Sequence, residues 1–397
     1  MSNPTDDAWK FHQETLDATR STMLRHPRSQ EPTVRAKALY FLQELQTVAF
    51  KLHVAPLQDY PACDPHFTPL EIGWGQPCPD FNYQYLFLDG ASTYRMWGRR
   101  GNTPYLNMMV QTGFWGSRSL RNLANVDFDA LRVDAGGSFE LVLSPQPHDG
   151  NWVQLDPTEH NLICLVREVT IDWLHDTPTE FHIERLGGPA APVAIRAEAE
   201  LNERIRCAAR FVKEHVEYFL DQYERLVARA GGRNRIPVPD VTPNSNNDNL
   251  ANYSQVYNQF VYDLHTDEAL IVETEVPEAK YWGLQLNDFW GHWIDFMHHQ
   301  GSLNAYQAKL DSDGKLRAVL AFEDPGVPNW VDVVGDGAGV GVIRWTLAKS
   351  HPVPVARKVP LAELRRHLPA DTPVVTPAQR RAALDERRAG AAKRYRF

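Results

Sequence analysis

Cysteine is scarce in this chain, and its spacing indicates neither a disulfide framework nor a metal site. The 397 residues include four cysteines, and no two of them form a close C-x-x-C pair. The amino terminus is polar and acidic, whereas a secretory leader begins with a basic segment that precedes an apolar run. We therefore expect reduced thiols and a cytoplasmic location.

Long apolar runs and an excess of positive charge are also missing. No stretch is apolar over the roughly 20 residues that a membrane-spanning helix needs, so no membrane span is expected. The net charge is −9 at pH 7, and general nucleic-acid binding needs a cationic surface to displace counterions, so nucleic acid is not an expected partner. The carboxyl terminus, residues 376–397, is basic, and we interpret it as a solvated helix face or a docking tail.

The signatures of nucleotide cofactors and of serine hydrolases are absent too. The sequence contains no phosphate-binding P-loop, no dinucleotide glycine fingerprint at a strand–helix junction and no Gly-x-Ser-x-Gly elbow. Residues 311–314 resemble the start of a calcium loop, but no later acidic residue completes that pattern. No organic cofactor and no calcium site are therefore expected.

A segment of the first half recurs in the second half. Gly137–Val153 matches Gly314–Val331, and each run ends in an Asn-Trp-Val triplet. The starts are 314 − 137 = 177 residues apart, and Val166-Arg167 matches Ile343-Arg344 at the same offset. The chain is therefore predicted to be internally duplicated. We interpret the repeated Asn-Trp pair as structural, because both halves contain it.

Periodicity divides the chain further. Helical spacing predicts amino-terminal helices in 1–55 and a long connecting helix in 195–232, whereas strand-like alternation fills 56–190 and 245–355. Clustered strands separated by turns favour antiparallel sheets. We therefore predict a mainly β fold with flanking helices, built from two duplicated antiparallel β-sandwich or jelly-roll-like units. The clearest predicted strands are 83–89, 105–110, 139–143, 162–169, 269–276, 281–286, 316–320 and 340–345.

One part of the second half resembles a known family. Ser302–Ala321, continued by Asp324–Asp332, is similar to the bacterial domain of unknown function numbered 1214. The likeness is strongest over residues 281–345. The resemblance implies a jelly-roll-like β-sandwich and a bacterial catabolic setting for hydrophobic compounds, and it implies no established reaction.

Polar and aromatic residues are densest in Asn287–Gln300, directly after a predicted strand, where loops often carry function. Our preferred hypothesis is metal-free acid–base catalysis, in which Asp295 orients and charges His299. Asp288 could shift the pKa of that imidazole, and His298 is a further catalytic candidate. The structural alternative is a hydrogen-bonded turn in which these side chains cap the strand ends.

A metal site is the alternative chemical interpretation of the same segment. If the segment is helical, His292, Asp295 and His299 share one face and could bind a metal through two imidazoles and a carboxylate. The protein would then be a metal-dependent hydrolase or lyase. This spacing is not a recognised ligand motif.

Nearby residues could bind a substrate. Trp290 and Trp293 would line an apolar pocket, and Asn304 and Gln307 would hold a substrate oxygen. Arg95 could bind an acidic group, since a guanidinium pairs with oxyanions. The structural alternatives are tryptophans that fill the core, amides that satisfy turn backbone, and an arginine in a surface ion pair.

These observations support two main functional hypotheses. The first is an enzyme without a cofactor that acts on a small hydrophobic, oxygenated molecule by hydrolysis, elimination or isomerisation. The second is a non-catalytic scaffold that binds a small molecule or a protein. A second copy of the chain is a further candidate partner.

Overall fold

The computed structural model of the protein describes residues 4–64, 71–117, 121–188, 196–239, 255–335 and 337–395. The asparagine-rich stretch at 244–249, for which the sequence predicts a loop, lies outside them. The α-helices in these residues are α1 (Pro4–Arg25), α2 (Pro32–Ala49), α3 (Glu198–Ala230) and α4 (Pro377–Tyr395). The strands of the first half are β1 (Phe81–Leu88), β2 (Thr93–Arg99), β3 (Tyr105–Thr112), β4 (Arg121–Asp127), β5 (Ser138–Ser144), β6 (Trp152–Gln154), β7 (Leu162–Val169) and β8 (Glu180–Leu186). The strands of the second half are β9 (Gln255–Asp263), β10 (Glu268–Thr274), β11 (Tyr281–Asp288), β12 (Ser302–Asn304), β13 (Leu316–Ala321), β14 (Trp330–Asp332), β15 (Ala338–Thr346) and β16 (Val355–Pro360).

The two halves share one strand topology. The sheets of the first half have the orders β1-β7-β3-β4 and β6-β5-β2-β8. Those of the second half have the orders β9-β15-β11-β12 and β14-β13-β10-β16, so each strand has a counterpart eight strands later. The predicted fold class is therefore confirmed: the protein is mainly β, with two duplicated eight-stranded units and flanking helices.

The repeated Asn-Trp pair has a structural role in both halves. The side-chain amide of Asn151 donates to the carbonyl oxygens of Arg132 and Glu140, each at 2.9 Å. Asn329 makes the matching pair of bonds in the second half, where its carbonyl oxygen also accepts the backbone N–H of Lys309 at 2.8 Å. Each asparagine thus joins two segments that precede it, which confirms the structural interpretation for the asparagine of the pair.

The described chain divides into two compact units. Unit 1 comprises residues 1–72, 81–170 and 176–218, and unit 2 comprises residues 73–80, 171–175 and 219–397. Each unit encloses its own apolar core between its two sheets, and the core positions alternate along the strands. Two short segments of the first half, 73–80 and 171–175, thus belong to unit 2.

The basic carboxyl terminus forms α4, which has both exposed and buried arginines. Arg381 and Arg388 are exposed on α4, as a solvated face requires. Arg380 and Arg387 are instead buried, and Arg380 Nε donates to Asp324 at 2.9 Å. The helix thus has a solvated side, and two of its arginines have carboxylate and carbonyl partners inside unit 2.

The described helices carry no apolar stretch sufficient for a bilayer crossing. The four cysteines, which all lie within the described residues, are free thiols.

Unit 1 buries two histidines beside aromatic rings. His53 lies in a π-helical turn at Phe50–Val54, and His215 lies on α3. The ring centroids of both histidines are within 5.7 Å of that of Phe211. Burial lowers the pKa of His53 to about 4 and that of His215 to about 3. Both rings are therefore neutral in the folded protein at neutral pH.

We expect these histidines to destabilise unit 1 in acid. An unfolded histidine has a pKa near 6.5, so the unfolded state binds more protons as the pH falls from 6.5 toward 4. Each histidine then removes about 1.4 kcal/mol of unfolding free energy per pH unit. Urea unfolding of His215→Phe between pH 6.5 and pH 5 should show a slope smaller by about that amount. The exposed His351→Phe should keep the wild-type slope, and an equal slope in His215→Phe would refute this account.

Candidate functional site

The segment after β11 forms turns rather than a helix. Asp295 Oδ1 accepts the backbone N–H groups of Met297 and His298, and its Oδ2 lies 2.8 Å from His298 Nδ1. His299 Nδ1 lies 2.8 Å from Asp332 Oδ2 instead. The predicted pair of Asp295 and His299 was therefore wrong, because the turn directs the Asp295 carboxylate toward Met297 and His298.

The hypothesised metal ligands do not converge. The described residues contain no group of three or more His, Cys, Asp or Glu side chains arranged to hold a metal, so His292, Asp295 and His299 form no such group. His292 Nδ1 lies 2.6 Å from the carbonyl oxygen of Trp293. Asp288 Oδ1 accepts the backbone N–H groups of Trp290 and His292, which makes this carboxylate a turn cap.

The two tryptophans of the segment are packed in the interior. Trp290 is 3% exposed and contacts the ring of Phe289, and Trp293 is 5% exposed and contacts the ring of Phe296. Both contacts have ring centroids less than 5 Å apart in edge-to-face geometry. These side chains therefore fill the core, as the structural alternative requires.

The remaining predicted binding residues have protein partners. Arg95 Nε donates to Glu140 at 2.7 Å, and its Nη1 donates to Glu184 at 3.3 Å, both on the protein surface. Gln307 Oε1 accepts from Arg387 Nη1 at 3.3 Å. The Arg95 guanidinium and the Gln307 amide, which the sequence suggested as substrate-binding groups, thus bind other side chains of the protein.

A repeated loop sequence explains the pairing of Asp295. Ile171–His175 and Ile294–His298 both read Ile-Asp-aromatic-aliphatic-His. In each loop the aspartate caps the turn and pairs with the histidine three residues later, with both Nδ1–Oδ2 distances at 2.8 Å. The rings of Trp173 and Phe296 meet edge to face at 5.7 Å. The two loops thus form one matched pair inside unit 2.

Several buried side chains of unit 2 lie around Asp80. We call this set the Asp80 cluster, and its members are Cys78, Asp80, Trp173, Tyr281, Asn304 and Arg387. Oδ1 of Asp80 accepts from Trp173 Nε1 and from Asn304 Nδ2, both at 2.8 Å. Its Oδ2 accepts from the Tyr281 hydroxyl at 2.7 Å, and that hydroxyl lies 3.3 Å from Cys78 Sγ. A carboxylate that is 1% exposed thus receives three hydrogen bonds from nitrogen and oxygen donors.

Burial determines the protonation states of the neighbouring groups. It raises the pKa of the Cys78 thiol and moves the pKa of the Tyr281 hydroxyl well above its usual value. Burial also lowers the pKa of Arg387 to about 10, and the guanidinium lies 4.5 Å over the Trp173 ring. At neutral pH the cluster therefore contains a neutral thiol, a neutral phenol and a guanidinium cation.

A glycine makes room for the Tyr281 hydroxyl. A Cβ atom at Gly283 would lie 2.3 Å from that oxygen. Gly283 pairs with Arg344 across the sheet, and its counterpart in the first half is Asn107, which pairs with Arg167. The second half therefore differs from the first at the position that lets the tyrosine reach Asp80.

Sequence reasoning missed most of the Asp80 cluster. Asn304 is the predicted site residue that belongs to it, although as a donor to a buried carboxylate rather than to a substrate. Tyr105 and Tyr281 match at an offset of 281 − 105 = 176, so the repeat could have drawn attention to Tyr281, a member of the cluster. Asp80 follows a proline-rich stretch and is about 200 residues from Tyr281, so no spacing rule connects them.

A separate cleft of about 170 Å³ opens in unit 2 beside β13. Arg317 on its wall is held by carboxylates, with Glu273, Asp311 and Asp313 all between 2.7 and 2.8 Å from its nitrogens. The Oγ1 atom of Thr372 is buried and has no hydrogen-bond partner among the residues that the structure describes. The lining residues are Lys309, Leu310, Asp311, Ser312, Arg317, Val319, Val327, Pro328, Asn329, Leu368, Asp371, Thr372 and Pro373.

No family model and no curated protein matches this chain. Among solved structures, an uncharacterised protein from Burkholderia cenocepacia is similar with a TM-score of 0.82 and 28% identity, over 89% of this chain and 97% of that one. A protein from Vibrio parahaemolyticus has a TM-score of 0.46 and 12% identity, over 81% of this chain and 96% of that one. The first likeness supports the duplicated β fold.

The close fit at Gly283 leads to a stability prediction. Gly283→Ala should displace the Tyr281 hydroxyl from Asp80, and Tyr281→Phe should remove it, so each should lower the unfolding free energy by roughly 1–3 kcal/mol. The double variant should lose less than the sum of the two, because both changes break one hydrogen bond. Urea unfolding measures all three. Gly188→Ala, whose Cβ atom would meet no atom closer than 3.5 Å, is the control, and strict additivity would contradict the shared cause.

Proposed function

We propose that the protein is a non-catalytic binding protein whose unit 2 holds a small, hydroxylated molecule in the cleft beside β13. The observation that carries this proposal is the open space of about 170 Å³ that Thr372 lines, together with the buried Oγ1 of that residue, which has no partner among the described residues. Buried polar atoms are usually hydrogen-bonded, so such an atom on a residue that lines open space favours a partner from solution.

The size and lining of the cleft limit the ligand. The volume exceeds the roughly 10–15 Å³ that a cavity needs to hold one water molecule and lies below the roughly 300 Å³ typical of pockets for drug-sized ligands. Val319, Val327 and Leu368 supply apolar surface, while Lys309 and Asp371 supply exposed charges of both signs. A molecule of monosaccharide or small polyol size, with hydroxyl groups on a hydrocarbon frame, fits this combination best.

Removal of one hydroxyl tests this proposal. Thr372→Val keeps the shape of the side chain and removes Oγ1, so the affinity for the bound sugar or polyol should fall about tenfold, the equivalent of roughly 1.4 kcal/mol. Calorimetric titration with a panel of monosaccharides and polyols gives the affinities. Thr266→Val, which changes an exposed threonine outside the cleft, should bind as the wild type does. Undiminished affinity in Thr372→Val would reject this site, and conversion of the ligand to a product would reject the non-catalytic function.

One observation supports an acid–base enzyme as the second candidate function. Asp332 is 8% exposed and holds Nδ1 of His299, whose side chain is 39% exposed. A buried carboxylate that orients a partly exposed imidazole suits proton transfer. Three other Asp–His pairs occur among the described residues, at His160, His175 and His298, so such a pair alone is weak evidence for catalysis.

The enzyme hypothesis predicts that His299 carries the proton. His299→Gln should abolish turnover of the oxygenated substrate, since it removes the imidazole that would transfer the proton, whereas His298→Gln should leave turnover unchanged. Product formation from a panel of small esters and hydroxy ketones is the assay, with circular dichroism to verify the fold. Equal turnover in both variants would eliminate this mechanism.

The cellular setting belongs to the same proposal. Four free thiols favour a cytoplasmic location. The resemblance of the second half to the numbered bacterial domain favours a role in the catabolism of hydrophobic compounds. A sugar-sized ligand would instead favour carbohydrate handling, so the ligand screen also distinguishes these two settings.

A further inference from the structure

We propose that unit 2 contains a second, buried site for a small carboxylate, formed by Gln255 and Thr346 beside Arg344. This site goes beyond the cleft and shares no lining residue with it. Gln255 on β9 pairs directly with Thr346 on β15, so their side chains lie on the same face of the sheet. That face is opposite to the one that carries the core residues Val256 and Trp345.

Two hydrogen-bonding atoms on this face are buried without a partner. Gln255 is 7% exposed and Thr346 is fully buried, yet Gln255 Nε2 and Thr346 Oγ1 form no hydrogen bond among the described residues. The hydroxyl of Tyr257 donates to Gln255 Oε1 at 2.6 Å. This bond occupies the acceptor end of the amide and leaves its donor end available.

Three groups at this place can donate hydrogen bonds. Arg344 lies two residues before Thr346 on the same face, is 5% exposed, and places its guanidinium 5.0 Å from the centre of the Tyr257 ring. An amide N–H, a hydroxyl and a guanidinium suit an acceptor that carries one negative charge. A carboxylate group meets this requirement.

The first half of the chain shows that the fold does not need polar residues here. The register places Phe81 opposite Val169 at the position where the second half has Gln255 opposite Thr346. An apolar pair at this position is therefore sufficient for the fold. Unpaired buried polar atoms destabilise a protein, so the polar pair in the second half is better explained by a ligand than by folding.

Tyr281 belongs to the Asp80 cluster, which lies close to this site. Tyr281 also pairs with Thr346 across the sheet, but its hydroxyl donates to Asp80. The carboxylate of Asp80 thus already has its donors, and the Gln255–Thr346 pair remains for a second carboxylate.

Thermal unfolding with acetate as the probe tests this site. Acetate should raise the melting temperature of the wild type above its value in equal concentrations of chloride, because a ligand that binds the folded state stabilises it. Acetamide, which has the same shape and no charge, should not do so. Thr346→Val should melt a few degrees higher than the wild type without acetate, roughly the shift expected when an unpaired hydroxyl is removed, and should lose the acetate response.

A matched threonine supplies the control. Thr274 is also buried in unit 2, but its Oγ1 donates to the carbonyl oxygen of Glu275 at 2.9 Å. Thr274→Val should therefore melt lower than the wild type and keep its acetate response. Gln255→Met is the second variant, in case Thr346→Val fails to fold, and should lose the acetate response as well.

Three outcomes would overturn the proposal. They are equal stabilisation by acetate and acetamide, an acetate response that survives in both Thr346→Val and Gln255→Met, and no acetate response in the wild type. The last result would assign the unpaired atoms to enclosed water. Thr372→Val should keep the acetate response, so this test succeeds or fails independently of the cleft.

Discussion

Unit 2 depends on the pairing of one buried carboxylate. Asp80 is almost completely enclosed, and an enclosed charge without partners would cost several kcal/mol. Its donors come from the loop around Trp173, from β11 and from the residue that ends β12. One side chain thus fixes a proline-rich segment, a short loop and two strands in a single arrangement. Arg387 extends this arrangement to α4 by donating to the carbonyl oxygen of Phe296 and by lying over Trp173.

The duplication separates what the fold requires from what one half has added. Both halves have the same strand order, and each has an asparagine that joins two preceding segments. Arg344 of the second half also occupies the position of Arg167 in the first half. They differ on the face of one sheet that points away from the apolar core. There the second half has Gly283 where the first half has Asn107, and the polar pair Gln255 and Thr346 where the first half has Phe81 and Val169. The polar pair adds polar side chains to the interior of unit 2 where the first half has apolar ones, which supports the proposal of a binding function in the second half.

Much of the fold could be predicted from the sequence, and the failures have a common cause. The eight predicted strands correspond to β1, β3, β5, β7, β10, β11, β13 and β15, and all of them except β1 lie inside a sheet. An inner strand such as Leu162–Val169 is buried along its whole length, so its apolar residues are conspicuous. All of the missed strands except β2 lie at a sheet edge. Val355–Pro360 is an example, because four of its six residues are exposed and its sequence has no strong alternation.

The candidate site was less predictable for a different reason. The local density of His, Asp and Trp after β11 identified a region of unit 2, but turn geometry assigned Asp295 to His298 and placed Trp290 and Trp293 in the core. The contacts that matter are long-range: Asp80 and Asn304 are 224 residues apart. Local spacing contains no information about such pairs.

A crystal structure of the protein grown with its best-binding sugar or polyol tests the central claim most directly. The account predicts a ligand in the cleft beside β13, with one of its oxygens within hydrogen-bond distance of Thr372 Oγ1. A cleft filled by the protein's own side chains, or a ligand bound at His299 instead, would contradict it.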